Sequence, residues 1–302
     1  MYTTLIEPQA LASHLSDTDW AVLDCRFELG RPESGVRAYA QEHIPNAIYA
    51  HLDNDLSSPV TPTSGRHPLP MLDVFVTTLG RWGIDENVQV VAYDQGNGAY
   101  ASRLWWLLRW VGHGRVAVLN GGFAAWQQAG LPVSKQPGVR QLRGFTPRQG
   151  QRNFGSVVAT AELQKLVADG QFVTSQRTLI DARTADRFAG QNETIDPVAG
   201  HVPGAINHPF AHNLDAEGRF LPAQTLRSKW LETLRGQAPA TAIAMCGSGV
   251  TACHNLLALE VAGLPGAQLY AGSWSEWIRD AARPTERPAR ESPAGTTEPP
   301  HE

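Results

Sequence analysis

Thr178-Leu179-Ile180-Asp181-Ala182-Arg183 decides the fold, because the chain contains it twice. The counterpart is Trp20-Ala21-Val22-Leu23-Asp24-Cys25-Arg26, again a short apolar run ending in Asp-x-Arg. Working outward from each copy, the correspondence continues in the same order. His43-Ile44-Pro45-Asn46-Ala47-Ile48 matches His201-Val202-Pro203-Gly204-Ala205-Ile206, and Gln89-Val90-Val91-Ala92-Tyr93-Asp94 matches Ala242-Ile243-Ala244-Met245-Cys246. Gly121-Gly122-Phe123-Ala124-Ala125-Trp126 then matches Gly272-Ser273-Trp274-Ser275-Glu276-Trp277. Kept order with loops of unequal length points to a duplicated unit. Within each unit, short Val/Ile/Leu runs alternate with helix-period segments, which predicts an α/β fold: a parallel sheet with helices on both faces. Residues 101–111 and 252–261 are strongly apolar and read as core helices, their tryptophans and leucines serving packing.

A length of 302 residues suits two such domains. The expected division is a first domain over 1–134, a linker over 135–156, a second domain over 157–282 and a disordered tail over 283–302. The linker reading rests on Pro137, Gly138, Gly144, Pro147 and Gly150, with basic side chains and little periodicity. The tail reading rests on five prolines and the lack of Leu, Ile, Val or aromatic residues. Hydrophobic residues make up 42% of the chain and charged residues 18%, enough apolar material for two cores. Net charge is −4 and neither half is basic, which argues against nucleic acid as a partner. Three cysteines exclude a disulfide scaffold and a four-thiolate metal site. Neither a secretory pattern at the start nor a run of 18 apolar residues is present, so the expectation is a soluble protein of the reducing cytoplasm, with no membrane partner.

Cys246 stands where chemistry is favoured. It follows the strand of residues 241–245 and precedes Gly247-Ser248-Gly249-Val250-Thr251, which leads into a helix. Ligands of doubly wound sheets bind beyond the carboxyl ends of the strands. The two glycines allow a tight curl that aims N–H groups inward, and the following helix N-terminus also favours negative charge on sulfur. A lone cysteine is ordinarily a small buried hydrophobe; this setting instead assigns Cys246 as a nucleophile. Cys253 lies inside the helix and Cys25 at the first strand end, so both read as packing thiols. In the first half Asp94 occupies the place of Cys246, and a carboxylate cannot carry sulfur. That unit is expected to be a wall of the cleft.

The repeated unit resembles a rhodanese domain, and the pair is similar to the two-domain thiosulfate and 3-mercaptopyruvate sulfurtransferases. His43-Ile44-Pro45-Asn46-Ala47, GGFAAW, HVPGAIN, CGSGVTA and GSWSEW carry the resemblance, which runs from Leu5 to about Asp280. It implies that Cys246 cycles between thiolate and persulfide, taking sulfur from a small anionic donor and passing it to cyanide or to a thiol acceptor, a thioredoxin-like protein among the candidates. This is two-step nucleophilic catalysis that requires no metal or organic cofactor. The resemblance further assigns Arg187 to the donor anion, with the loop residues Gly247, Gly249, Val250 and Thr251. It places Asp53 and His67, from His51-Leu52-Asp53 and Gly65-Arg66-His67-Pro68, beside the loop hydroxyl of Ser248. Mercaptopyruvate enzymes carry a second arginine before the His-x-Pro-Gly motif; here Asp196 stands in that segment, and Arg183 or Arg219 are the candidates to compensate. The donor is left open between thiosulfate and mercaptopyruvate. A non-enzymatic binding module on the same fold suits the first unit but not the second, which keeps its thiol and loop. A cysteine phosphatase would need Arg at position 252, where Ala stands, and a disulfide oxidoreductase would need a Cys-x-x-Cys pair.

Overall fold

The computed structural model describes residues 1–147 and 156–287. In the first half the strands are β1 (Leu5–Ile6), β2 (Trp20–Asp24), β3 (Ile48–Tyr49), β4 (Gln89–Tyr93) and β5 (Val116–Leu119). In the second they are β6 (Thr178–Asp181), β7 (Ile206–Asn207), β8 (Ala242–Met245) and β9 (Gln268–Leu269). The order β1-β5-β4-β2-β3 is repeated as β7-β6-β8-β9 read from the other edge, and every pairing is parallel. An isolated parallel bridge between Val157 and Leu269 stands where β1 stands in the first sheet. β4 and β8 are buried at every position, as central strands covered on both faces must be.

In each sheet the chain leaves the first central strand to one side and returns on the other. The ends of β2 and β4, and of β6 and β8, are therefore the topological switch points where ligands bind. Cys246 follows β8 at one of them, and Asp94 follows β4 at the other.

The two domains meet through equivalent helices. Ala101–Trp110, after the Asp94 loop, packs on Thr251–Val261, after the Cys246 loop, and one apolar core runs through Leu104, Leu108, Leu257 and Ala258. Each helix also reaches into the opposite loop. Arg103, fully buried, donates to the carbonyls of Gly249 (3.1 Å) and His67 (3.1 Å). His254, also fully buried, donates from Nε2 to the carbonyl of Asn97 (3.0 Å) and stacks on Phe220.

The connecting chain is held by backbone contacts where it is described. The described part of the linker, 135–147, lies against the first domain: Ser134, just before it, bridges to His43, and within it Gly138 N–H donates to Ala47 O and Phe145 is buried. Residues 148–155 lie outside the described residues. The proposed disordered tail begins as ordered chain, because Glu286 bridges to His201 and Arg287 Nε donates to Ala199 O. Backbone pairing with the His-x-Pro-Gly turn holds this stretch without apolar side chains; residues 288–302 lie outside the described residues.

His254 supplies a test of this interface. With Nε2–H given to Asn97, its Nδ1 accepts from Asn213, so the neutral ring is satisfied, and burial lowers its pKa from 6.5 to about 3. The unfolded chain takes up a proton that the folded chain refuses, so stability must fall as pH drops below about 6.5. His254 should cost about 2 kcal/mol between pH 7 and pH 5. Urea denaturation at both pH values should show His254→Gln losing less stability on acidification than the wild-type chain. An equal loss would mean that the ring is charged in the fold.

Candidate functional site

The loop after β8 is held from behind by the Gly272–Trp277 turn. Cys246 N–H donates to Ser273 Oγ (3.0 Å), Trp274 N–H to Cys246 O (2.9 Å) and Ser275 N–H to Gly247 O (2.9 Å). Ser273 adopts φ +55°, a left-handed conformation uncommon outside glycine, and its hydroxyl also donates to Tyr270 O (3.0 Å). Gly249, at φ +78°, approaches Ala271 so closely that an added Cβ would lie 2.3 Å from that carbonyl oxygen. The tight turn aims Gly249 N–H at Cys246 Sγ, 3.1 Å away. One loop N–H therefore reaches the sulfur, where the sequence suggested several. Val250 places its side chain in the apolar core, so any contribution it makes to binding comes from its backbone, and Thr251 opens the helix.

The first domain packs directly against this loop. Ser248 Oγ lies 2.7 Å from His67 Nδ1, and His67 Nε2 lies 3.3 Å from Asp53 Oδ1. Asp53 accepts from Nε2–H, which leaves Nδ1 to accept the serine proton. Burial lowers the His67 pKa, against the opposing pull of Asp53, so the ring is neutral near pH 7. The hydrogen bond from His67 in turn lowers the Asp53 pKa. Asp55, not Asp53, caps the local turn by accepting from His51 N–H (2.8 Å), which frees Asp53 to face His67.

The cationic side of the site departs from expectation. Arg187, on the short helix Ala185–Phe188, donates from Nε and Nη2 to Glu193 and from Nη2 to Asp196 (3.0 Å). Asp196 is also paired with Arg66 of the first domain. Both guanidiniums border Gly247: a Cβ there would be 2.9 Å from Arg66 Nη2 and 3.6 Å from Arg187 Nη1 and Nη2. Neither suggested substitute takes this place. Arg183 is sealed into a buried pair with Asp181 and lies over Trp274, and Arg219 pairs with Glu7. Arg66 was missed because the feature that brings it here is domain docking. Gly65 fits against Gly272 O, and Arg66 N–H donates to Ser275 Oγ (3.0 Å).

The other two thiols stand outside the loop, Cys253 within the helix Thr251–Val261 and Cys25 at the end of β2. Burial pushes the Cys253 thiol up to about 12 and raises that of Cys25 well above its ordinary value. At the first switch point Asp94 accepts from the N–H groups of Gly96, Gly98, Tyr100 and Ala101, at 2.9 to 3.2 Å. The loop cradle is thus filled by the protein's own carboxylate. Among the described residues no group of three or more His, Cys, Asp or Glu side chains could hold a metal ion, and no helix is long and apolar enough to cross a membrane.

Comparison with known proteins agrees with this architecture. The rhodanese-like domain family matches residues 7–129 and again 159–280. The chain is 47% identical over 282 residues to the "Probable 3-mercaptopyruvate sulfurtransferase" of Pseudomonas aeruginosa, covering 93% of this chain and 96% of that one. It is 32% identical over 266 residues to the thiosulfate sulfurtransferase of Gallus gallus, covering 86% of each. The crystal structure of SseA from Escherichia coli, a 3-mercaptopyruvate sulfotransferase, superposes with a TM-score of 0.75 at 30% identity, over 91% of this chain and 100% of that one. Two family matches in tandem, each on one of the duplicated α/β units, show that the chain belongs to the rhodanese family.

Proposed function

We propose that this rhodanese-type sulfurtransferase carries sulfane sulfur as a persulfide on Cys246. The single observation behind this reading is the second-domain loop, in which a thiol at a strand's carboxyl end accepts Gly249 N–H, while the equivalent first-domain position is a carboxylate enclosed by its own loop. The Cys246 thiolate attacks the outer sulfur of the donor, the S–S or S–C bond of the donor breaks, and its electron pair leaves with the rest of the molecule. Cyanide or a thiolate, such as that of a thioredoxin-like protein of the reducing cytoplasm, then removes the terminal sulfur. The Gly249 N–H supports negative charge on the Cys246 sulfur as a donor supports an oxyanion. The first domain performs no covalent step and supplies Asp53, His67 and cleft wall. A purely binding role fits the first domain alone.

Relatives named for thiosulfate and for 3-mercaptopyruvate leave both donors as candidates. They differ in proton demand. Thiosulfate releases sulfite, a stable dianion, whereas mercaptopyruvate releases an enolate carbon that must take up a proton. The Ser248–His67–Asp53 chain supports such a transfer: the serine proton is poised between the cleft and a neutral imidazole. General acid assistance is worth about 10²–10⁴-fold, while loss of a neutral hydrogen bond costs about 1 kcal/mol.

Donor-dependent thiocyanate release should therefore vanish in Cys246→Ser and persist largely intact in Cys25→Ser and Cys253→Ser. Peptide mass spectrometry after donor treatment should place the added sulfur on Cys246; equivalent labelling of Cys25 would sink the assignment. Ser248→Ala should lower kcat/KM for mercaptopyruvate at least an order of magnitude more than for thiosulfate. Equal losses would reduce the serine to a shaper of the loop.

A further inference from the structure

The two arginines that border Gly247 each hold one amino group in reserve. Arg187 gives Nε and Nη2 to Glu193 and Asp196, and among the described residues its Nη1 makes no hydrogen bond. Arg66 gives Nη1 to Asp196, and among the described residues its Nη2 makes none. The spare Arg66 Nη2 lies nearest the vacant side-chain position of Gly247, at 2.9 Å, and the spare Arg187 Nη1 lies 3.6 Å from it, level with the engaged Nη2; Gly247 is next in sequence to Cys246. Resting guanidinium groups in a protein normally satisfy their donors with carboxylates, carbonyls or water. Here the carboxylates of Glu193 and Asp196, both almost wholly buried, lie along one edge of the pair and leave the other edge open to the loop. Two N–H-bearing groups converging from separate domains match the two oxygens of a carboxylate or sulfonate.

We infer that Arg66 is a donor-binding residue: with Arg187 it forms a fork, built across the domain interface, for the oxyanion end of the sulfur donor. The inference rests on the sulfurtransferase reading and adds a residue from the first domain to it. Asp196 is a positioning residue that holds both guanidiniums at one spacing, and its place in the segment before the His-x-Pro-Gly turn is explained by the cation it receives from the opposite domain. Glycine at 247 keeps the lane open, because any side chain would strike Arg66 Nη2. The ligand class is a small oxyanion joined to a transferable sulfur, which thiosulfate and mercaptopyruvate share. Both should depend on Arg66, since the fork reads the oxygens and not the leaving group.

Inert sulfate is the probe that separates this inference from the transfer chemistry. In the full-length chain at constant ionic strength, sulfate should slow alkylation of Cys246 by iodoacetamide, followed by peptide mass spectrometry. Arg66→Ala should need at least fivefold more sulfate for half-protection, as should Arg187→Ala, while Arg66→Lys, with charge but no fork, should fall between. In turnover Arg66→Ala should raise KM for thiosulfate and for mercaptopyruvate by a similar factor, with a smaller change in kcat. If Arg66→Ala does not fold, Arg66→Gln answers by the same criterion. Wild-type protection retained in these variants, or no protection of the wild-type chain, overturns the inference. Sulfate protection lost with Arg66 in a chain that never labels Cys246 from either donor would uphold the anion fork and defeat the sulfurtransferase reading.

Discussion

A guanidinium buried without a carboxylate within ion-pair distance among the described residues holds the two halves in register. Arg103 rises from the first-domain helix Ala101–Trp110, and its hydrogen bonds go to carbonyl oxygens, of Gly249 in the cysteine loop and of His67 in the first-domain segment that faces it. Desolvating a full positive charge is costly, and burial accordingly lowers its pKa. A charge so placed tolerates little displacement, because each carbonyl that it loses is a partner that water cannot replace. Everything distinctive about the site depends on this docking. Ser248 and Asp196 come from one domain and His67 and Arg66 from the other, and neither the Ser248–His67 nor the Arg66–Asp196 contact survives a shift of one helix along its partner.

The duplication explains how one physical device came to serve two ends. Both units make a tight loop after the central strand and lead it into a helix whose N–H groups point back at the strand end. In the second unit that cradle receives a thiol, and an N–H is available to it. In the first, Asp94 satisfies four N–H groups at once and leaves the loop nothing to offer a ligand. Burial raises the Asp94 pKa, and the same four bonds oppose that rise. The carboxylate of the first unit is therefore a structural element: its loop is closed, and the helix that follows sends Arg103 across the interface.

What could be read from residues alone follows the range of the interactions involved. Apolar runs, the Asp-x-Arg strand ends and the glycine loop around Cys246 are local patterns, and the parallel sheets and the strand-end thiol agree with them. Ser248, His67 and Asp53 were legible through the family resemblance, and the structure brings them into one chain of contacts. Arg66 and the serines of the Gly272–Trp277 turn were not. Ser273 accepts from Cys246 N–H and Ser275 accepts from Arg66 N–H across long stretches of sequence, so no local spacing marks them. Asp196 looked like a departure when compared with one segment. Its meaning lay in an arginine from the other domain, which no reading of the segment alone could supply. The order of the tail's first residues has a related reason: backbone pairing at Glu286 needs no apolar residue.

A serine, a histidine and an aspartate in line would elsewhere announce a hydroxyl nucleophile, but the arrangement here favours proton traffic in support of sulfur. The Ser248 hydroxyl is buried two residues from a thiol, and a thiol loses its proton far more readily than an alcohol does. His67 is kept neutral by burial, with the cations Arg103 and Arg66 opposing any charge upon it, so it is a weaker base than a lone Asp53 neighbour would make it. Such a ring can hold the serine proton in place and return it, yet it is poorly suited to carry a lasting positive charge. Of the two arginines opposing that charge, Arg66 also borders Gly247, together with Arg187. Cation placement thus acts at two points of the site: positive charge faces the vacant side-chain position of Gly247, and it opposes a charge on the neighbouring imidazole.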